Sequence, residues 1–140
     1  MVNAGRFFGA AALAGVAAAT TACLDSGPDR VVVVDQPTGT LTVEYTIQGG
    51  KVPSDCVFYG ATDVELVVYD SLGYFVTDRY APCESFFVSV QLYPGRYGAD
   101  VTLVDRFNYA ASVTAPLYDL DVVRDTELVV SVDFPPGSFL

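Results

Sequence analysis

The sequence predicts an all-β protein: a single antiparallel, immunoglobulin-like sandwich of about seven strands, placed after an N-terminal signal helix. Apolar and polar residues alternate with a period of two from Gly39 to Phe134, which is typical of half-buried strands. Turn residues separate the alternating segments at roughly regular intervals, as in a sandwich. At 140 residues, 51% of them hydrophobic, the chain is long and apolar enough for one domain with a real core.

The first 22 residues are predicted to be a signal peptide. Arg6 and the free amine supply a weakly basic start, and residues 7–19 (FFGAAALAGVAAA) are uniformly apolar or small. This run has the length of the hydrophobic region of a secretory signal. It is shorter than the ~20 apolar residues that a transmembrane helix requires. We therefore expect the protein to be exported.

Cys23 directly follows this segment, after small residues and before the polar stretch LDSGPD. Residues 1–23 resemble a bacterial lipoprotein signal peptide: Thr21 and Ala22 fit its pattern, whereas Thr20 stands where leucine is commonest. The resemblance implies that Cys23 becomes the first residue and carries several acyl chains, which together anchor a protein stably to the membrane. Ordinary cleavage after Ala22, which would leave Cys23 as a free or intermolecular thiol, remains an alternative.

The residue after Cys23 bears on location. In lipoproteins of this kind an aspartate there often signals retention at the inner membrane, and here the residue is Leu24. The resemblance therefore implies an exported, outer-membrane-anchored lipoprotein of the cell envelope. Residues 23–38, which include Ser26, Gly27 and Pro28, are predicted to be a lipid-anchored tether.

Cys56 and Cys83 lie 27 positions apart in the predicted sandwich. An exported protein meets oxidising conditions, so a disulfide between these two cysteines is the expected state. Closing a loop of this size contributes roughly 3–4 kcal/mol in the chain-entropy model. Two buried free thiols are the alternative.

The strands follow in order, and each presents one apolar face. Residues 48–61 are predicted to form a long loop, tied down by Cys56 and carrying Phe58 and Tyr59, and this loop is the expected recognition surface. Residues 70–73 (DSLG) have the order of a type I turn. The residues predicted to face inward are Leu41, Val43, Tyr45, Ile47, Val64, Leu66, Val68, Phe86, Val88, Val90, Leu92, Tyr97, Ala99, Val101, Leu103, Leu128, Val130, Val132 and Phe134.

A further motif lies at residues 92–97 (LYPGRY). Together with DVELVVYDSLG (residues 63–73) it makes the segment from Gly39 to Phe134 resemble the prealbumin-like (transthyretin-like or carboxypeptidase-regulatory-like) sandwich family. The resemblance implies that Leu92, Pro94, Gly95 and Tyr97 mark a hairpin, and a type II turn there would use a positive φ at the glycine. It brings no active site. The predicted domain is 39–136, followed by a C-terminal tail, 137–140.

Candidate chemistry is sparse. The chain contains no histidine, which excludes Ser–His–Asp and Cys–His catalysis, so no enzyme activity and no cofactor are predicted. The acidic residues near the C-terminus are the weak candidates for Ca²⁺ ligands, although they lack the spacing of a calcium loop and a solvated acidic face is the simpler interpretation. These candidates are Asp119, Asp121, Asp125 and Glu127.

The net charge of −10 disfavours nucleic acid as a partner, because polyanions are repelled. The sequence therefore predicts a cell-envelope lipoprotein whose non-catalytic β-sandwich serves binding or structural display. Its expected partners are the membrane, through the lipid anchor, and an envelope protein or glycan. The alternative is a secreted, unanchored binding domain that depends on Ca²⁺ or binds carbohydrate.

Overall fold

The computed structural model describes residues 36–140. The predicted signal peptide, Cys23 and most of the predicted tether lie outside the described residues. Within residues 36–140 the chain forms one short helix, α1, and two 3₁₀ turns, at Cys83–Ser85 and Pro136–Ser138. The helix and strands are β1 (Gly39–Ile47), α1 (Pro53–Phe58), β2 (Asp63–Asp70), β3 (Phe75–Pro82), β4 (Phe87–Leu92), β5 (Gly95–Val104), β6 (Ala115–Val122) and β7 (Glu127–Phe134).

The seven strands form two sheets, so the predicted all-β sandwich is confirmed. A three-stranded sheet has the order β4-β1-β7, and a four-stranded sheet has the order β3-β2-β5-β6. Neighbouring strands are antiparallel except β1 and β7, which are parallel. The sandwich is predicted to be antiparallel, and this one pair is the exception. Alternation shows that one face of a strand is solvated, which is commonest in antiparallel sheets but does not exclude one parallel pair.

The core lies between the inner faces of the two sheets. It contains most of the residues predicted to face inward, among them the full inner faces of β1 and β2. Tyr97, Leu128, Val130 and Val132 are partly buried against it. Tyr45 is its largest fully buried side chain and packs against the rings of Phe86 and Phe134, with centroid distances of 5.7 and 6.0 Å.

The Leu92–Tyr97 motif does not form the predicted hairpin. It connects β4 in one sheet to β5 in the other, so the chain crosses between the sheets at this corner. Gly95 opens β5, and its φ is not in the left-handed region that a type II turn would require. Instead, the Tyr97 hydroxyl donates a hydrogen bond of 2.8 Å to the carbonyl oxygen of Tyr93, which closes the corner. A link this short can therefore join two sheets as well as two paired strands.

The predicted disulfide is present. Cys56 and Cys83 are both buried, their Cα atoms are 6.0 Å apart, and the bond joins α1 to the 3₁₀ turn that precedes β4. Residues 48–61 are not a continuous loop as predicted, because α1 occupies their middle. Pro53 is its first residue, a position where the missing amide hydrogen of proline costs the helix no bond.

Residues 70–73 turn the chain from β2 into β3, as predicted. The amide of Gly73 donates to the carbonyl oxygen of Asp70 (3.0 Å), and Gly73 has a φ of +85°. The Asp70 carboxylate also accepts the amides of Leu72 and Tyr74, each at 2.9 Å. These bonds satisfy amides that the tight turn would otherwise leave without partners.

The C-terminal residues pack on the sandwich. Phe139 stacks on Tyr59 with a centroid distance of 3.7 Å and bridges to Ser112, and the amide of Leu140 donates to the carbonyl oxygen of Ala111 (3.1 Å). Residues 137–140, which the sequence analysis set apart as a tail, thus contact the domain. Within residues 36–140 there is no helix long and apolar enough to cross a membrane.

Candidate functional site

The outer face of the four-stranded sheet carries several aromatic side chains that the core does not use. Val64, Leu66 and Val68 of β2 face the core, so the alternate residues Glu65, Val67 and Tyr69 face outward. Directly paired residues of neighbouring strands share a face. The register therefore places Tyr80 beside Glu65, Asp78 beside Val67 and Phe75 beside Tyr69.

Strands β5 and β6 extend the same face. Asp100 pairs with Val67, and Gly98 pairs with Tyr69. Opposite Gly98, β6 contains a bulge in which Asp119 has a φ of +53°, and Tyr118 projects outward with 74% of its surface exposed. We call this surface the aromatic face and define it by Tyr69, Phe75, Tyr80 and Tyr118 together with Glu65, Asp78 and Asp100.

The carboxylates of the aromatic face lie among its rings. The Tyr80 hydroxyl donates a hydrogen bond of 2.6 Å to Glu65, and this bond is the main cause that raises the pKa of Tyr80 to about 12. The pKa of Tyr69 is also raised, first by partial burial and then by the negative charge of Asp100. Both phenols are therefore neutral at physiological pH, and the hydroxyl of Tyr80 already donates its proton to Glu65.

A shallow hollow of about 520 Å³ opens between Tyr118 and the β2–β3 turn. Gly98 belongs to its lining, and Asp70, Arg96 and Asp119 contribute polar groups. Arg96 is exposed, and among residues 36–140 its guanidinium makes no ion pair and no hydrogen bond. The hollow thus combines an aromatic wall, carboxylates that accept hydrogen bonds and a guanidinium that donates them.

The outer face of the three-stranded sheet differs, because its polar side chains bond to one another. Thr42 bonds to Ser89 (2.8 Å) and donates to Glu127 (2.6 Å). Thr46 donates to Asp133 (2.6 Å). The Thr46 hydroxyl is also the main cause that lowers the pKa of Asp133, followed by the amide of Gly49. Such a ladder of satisfied bonds leaves few groups for a ligand.

The weak calcium candidates do not come together. Asp119 lies in the β6 bulge and Asp121 beyond it, so these two side chains are not related by the alternation of a regular strand. Asp125 lies in the turn before β7 and contacts Arg124 (3.3 Å). Glu127 belongs to the three-stranded sheet, where it accepts a hydrogen bond from Thr42. Within residues 36–140 no group of three His, Cys, Asp or Glu side chains is arranged to hold a metal ion.

The predicted recognition loop, residues 48–61, lies at the end of the sandwich away from Gly39. Phe58 is exposed there and meets Tyr59 edge-on, at a centroid distance of 4.9 Å. A groove of about 380 Å³ runs between the end of α1 and the 105–107 turn. Its polar lining includes Asp105, whose carboxylate already accepts the amides of Phe107 and Tyr109 (2.8 and 3.0 Å). Asp70 in the hollow of the aromatic face accepts two amides in the same way, so the groove differs from that hollow mainly in having one carboxylate where the hollow has two.

The alternation of β2 places Tyr69 outward, whereas Phe75, Gly98 and Arg96 were not among the residues predicted to bind a ligand. Phe75 pairs with Tyr69 only because of a register shift after Val68, and Gly98 lies opposite the β6 bulge. Bulges change the period locally, so alternation alone does not assign these residues to a face. A glycine in the middle of the alternating segment RYGADVTLV was the available signal.

No protein-family model matches the chain, and no curated protein matches it. Among solved structures, the chain is similar to the Bacillus anthracis TIE protein, with 13% identity and a TM-score of 0.43, over 71% of this chain and 17% of that one. It is also similar to a Bacteroides thetaiotaomicron protein named for expected polysaccharide binding, with 10% identity and a TM-score of 0.39, over 66% of this chain and 46% of that one. The chain thus spans less than half the length of either protein.

Proposed function

We propose that this protein is an exported lipoprotein of the cell envelope, anchored in the outer membrane through Cys23, and that its sandwich is a non-catalytic binding domain. The aromatic face is its binding surface. The signal-like N-terminus and Cys23, the one cysteine outside the Cys56–Cys83 bond, support the anchor. The lack of histidine in the sequence supports a role without acid–base catalysis by that residue.

The observation that carries the proposal is the difference between the two outer faces. Polar side chains on the three-stranded sheet bond to one another, and the large exposed apolar side chains of its outer face are Phe87 and Val129, each 50% exposed. On the four-stranded sheet, Phe75 and Tyr118 are 62% and 74% exposed, and carboxylates stand beside the rings. Contiguous exposed apolar surface rimmed by polar groups marks interaction sites.

Co-sedimentation of the purified full chain with envelope material from the organism that makes it tests the proposal. The double variant Phe75→Ser/Tyr118→Ser should lose at least tenfold in affinity. The matched control is Phe107→Ser/Tyr109→Ser, which removes one phenylalanine and one tyrosine of similar exposure (63% and 72%) away from the aromatic face. Equal binding by both double variants would reject the aromatic face as the binding surface.

A further inference from the structure

We propose that the ligand of the aromatic face is a neutral polysaccharide, whose extended chain crosses the strands over Phe75, Tyr69 and Tyr118 and seats one sugar ring in the hollow above Gly98. This inference rests on the proposed function, because it names the ligand class of the same surface.

The spacing of the rings on the aromatic face matches an extended sugar chain. Phe75 and Tyr69 are neighbours on paired strands, and Tyr118 lies two strands beyond Tyr69, on the far side of β5. Strands are about 4.8 Å apart, so roughly 10 Å separates Tyr69 from Tyr118. This separation is comparable to the length of a disaccharide unit. Two rings at such a distance can each support the apolar face of one sugar in an extended chain.

Gly98 leaves the surface between the rings of Tyr69 and Tyr118 without a side chain. Its φ is not in the left-handed region, so other residues could adopt the same backbone conformation. A Cβ placed there would lie 3.5 Å from the nearest atom, the carbonyl oxygen of Leu117, which is an ordinary contact. Glycine in a strand costs roughly 0.5–1 kcal/mol relative to alanine. Neither conformation nor packing requires this glycine, and close approach of a ligand would account for it.

The charge of the aromatic face indicates which class of polysaccharide it can bind. Asp78, Asp100 and Glu65 stand on the face, and Asp70, Asp119 and Arg96 line the hollow. The excess of carboxylates repels anionic polymers, which excludes uronic acid, sulfated and phosphorylated chains. Sugar hydroxyls both donate and accept hydrogen bonds, so they can pair with the carboxylates and with the guanidinium of Arg96 at once.

A protein partner fits this surface less well. The buried centre of a protein–protein interface is depleted of charged residues. A protein that covered these rings would remove water from the carboxylates beside them, at a cost that few partner groups could offset. A hydroxyl-rich chain replaces that water with hydrogen bonds at each carboxylate, and it leaves the far side of the face in solvent.

The test is affinity electrophoresis of the full chain, held in a detergent without a sugar head group, in native gels that contain hydroxyethyl cellulose, glycol chitin or galactomannan. At least one of these neutral polymers should retard the protein, and polygalacturonate should not. Gly98→Val should reduce the retardation at least tenfold on the concentration scale. It should leave the thermal midpoint equal or higher, since a β-branched residue favours a strand.

The outcomes separate the two proposals. Retardation by a neutral polymer that Gly98→Val abolishes, in a variant that stays folded, supports the inference. If no neutral polymer retards the protein but Phe75→Ser/Tyr118→Ser still loses binding to envelope material, the polysaccharide class is overturned and the binding face stands. If the chain binds neither material, both proposals fail. Retardation that Gly98→Val leaves unchanged overturns the placement of a sugar ring in the hollow.

Discussion

At the scale of single residues, the most constrained polar group of the core is the hydroxyl of Tyr45. The side chain is fully buried, and its hydroxyl donates a hydrogen bond of 2.7 Å to the carbonyl oxygen of Cys83, next to the disulfide. Burial raises the pKa of Tyr45 well above its ordinary value, so the phenol is neutral in the folded state. The bond therefore joins β1 to the 3₁₀ turn that precedes β4.

Tyr45→Phe is expected to lower the free energy of unfolding by about 0.5–1.5 kcal/mol, because it removes a buried hydrogen bond while the carbonyl oxygen of Cys83 keeps the amide of Phe86 (3.2 Å) as a partner. Chemical denaturation of the two proteins measures the difference. Tyr80→Phe is the matched control, since its hydroxyl also binds an acceptor, Glu65, but at the surface. The loss should be larger for Tyr45→Phe, and equal losses would contradict the assignment of a buried, unreplaced bond.

Asp133 gives the protein a predictable response to acid. Its pKa is lowered by the hydroxyl of Thr46 first and the amide of Gly49 second, so the carboxylate binds protons less readily in the folded state than in the unfolded one. Its stabilising contribution is complete above the ordinary carboxyl pKa of about 4, and it is lost as the pH falls through the lower folded value.

We expect the stability difference between the wild type and Asp133→Asn to be largest near neutral pH and to shrink as the solution is acidified. Denaturant midpoints over a pH series measure it. Thr46→Val should move the pKa of Asp133, followed by NMR of the carboxyl carbon, back toward its ordinary value. A stability difference that does not change with pH would show that Asp133 acts through packing and not through its charge.

At the scale of elements, two turns of the four-stranded sheet share one design. In both, an aspartate accepts the amides two and four residues later: Asp70 those of Leu72 and Tyr74, and Asp105 those of Phe107 and Tyr109. The fourth residue of each turn has a positive φ, +85° at Gly73 and +62° at Asn108. Glycine and asparagine are the residues that tolerate this conformation best.

Gly73→Ala is therefore expected to destabilise the protein by about 1–2 kcal/mol, the cost of placing a Cβ in the left-handed region. Gly98→Ala is the matched control, because Gly98 lies in a strand without a positive φ. It should stabilise the protein by about 0.4–1 kcal/mol by restricting the unfolded chain. Thermal or urea unfolding of both variants provides the comparison, and shifts of the same sign would contradict this reading of the two glycines.

The sequence allowed the fold class, the inner faces of β1 and β2, the disulfide and the 70–73 turn to be predicted, because each depends on local pattern or on cysteine number. It did not allow the parallel pairing of β1 with β7 or the crossing at Pro94–Gly95 to be predicted. These features depend on which strands meet in space, and the local pattern is compatible with several answers.

The candidate site was predictable only in part, for a related reason. Tyr69 follows the alternation of β2, but Phe75 reaches the aromatic face through a register shift. Tyr118 has the same parity as the buried Leu120 and Val122, and it faces outward because β6 bulges at this point, which also makes Gly98 the floor of a hollow. A site composed across four strands is a property of register. Register is defined only once the strands pair, so the sequence of a single strand does not reveal it.

At the scale of the whole molecule, the two outer faces of the sandwich present different side chains to solvent. The three-stranded sheet exposes polar side chains that are hydrogen-bonded to one another. The four-stranded sheet exposes aromatic rings, carboxylates and the guanidinium of Arg96. Both faces share one core, so the proposed binding face is built on a packed scaffold. A surface held in this way needs little rearrangement to bind a ligand, which agrees with the binding role proposed above.

Display in turn depends on the anchor, and this gives a prediction for the whole chain. The mature protein extracted from membranes should begin at Cys23 and be heavier than its polypeptide by several acyl groups, since one chain alone anchors only marginally. Intact-mass spectrometry measures this, and reduction should add two hydrogens from the Cys56–Cys83 bond in the same experiment. Cys23→Ser should abolish the added lipid mass while Cys56 and Cys83 stay paired. An unmodified wild-type chain released into the medium would contradict the anchor, make Cys23 a free or intermolecular thiol, and favour the secreted alternative.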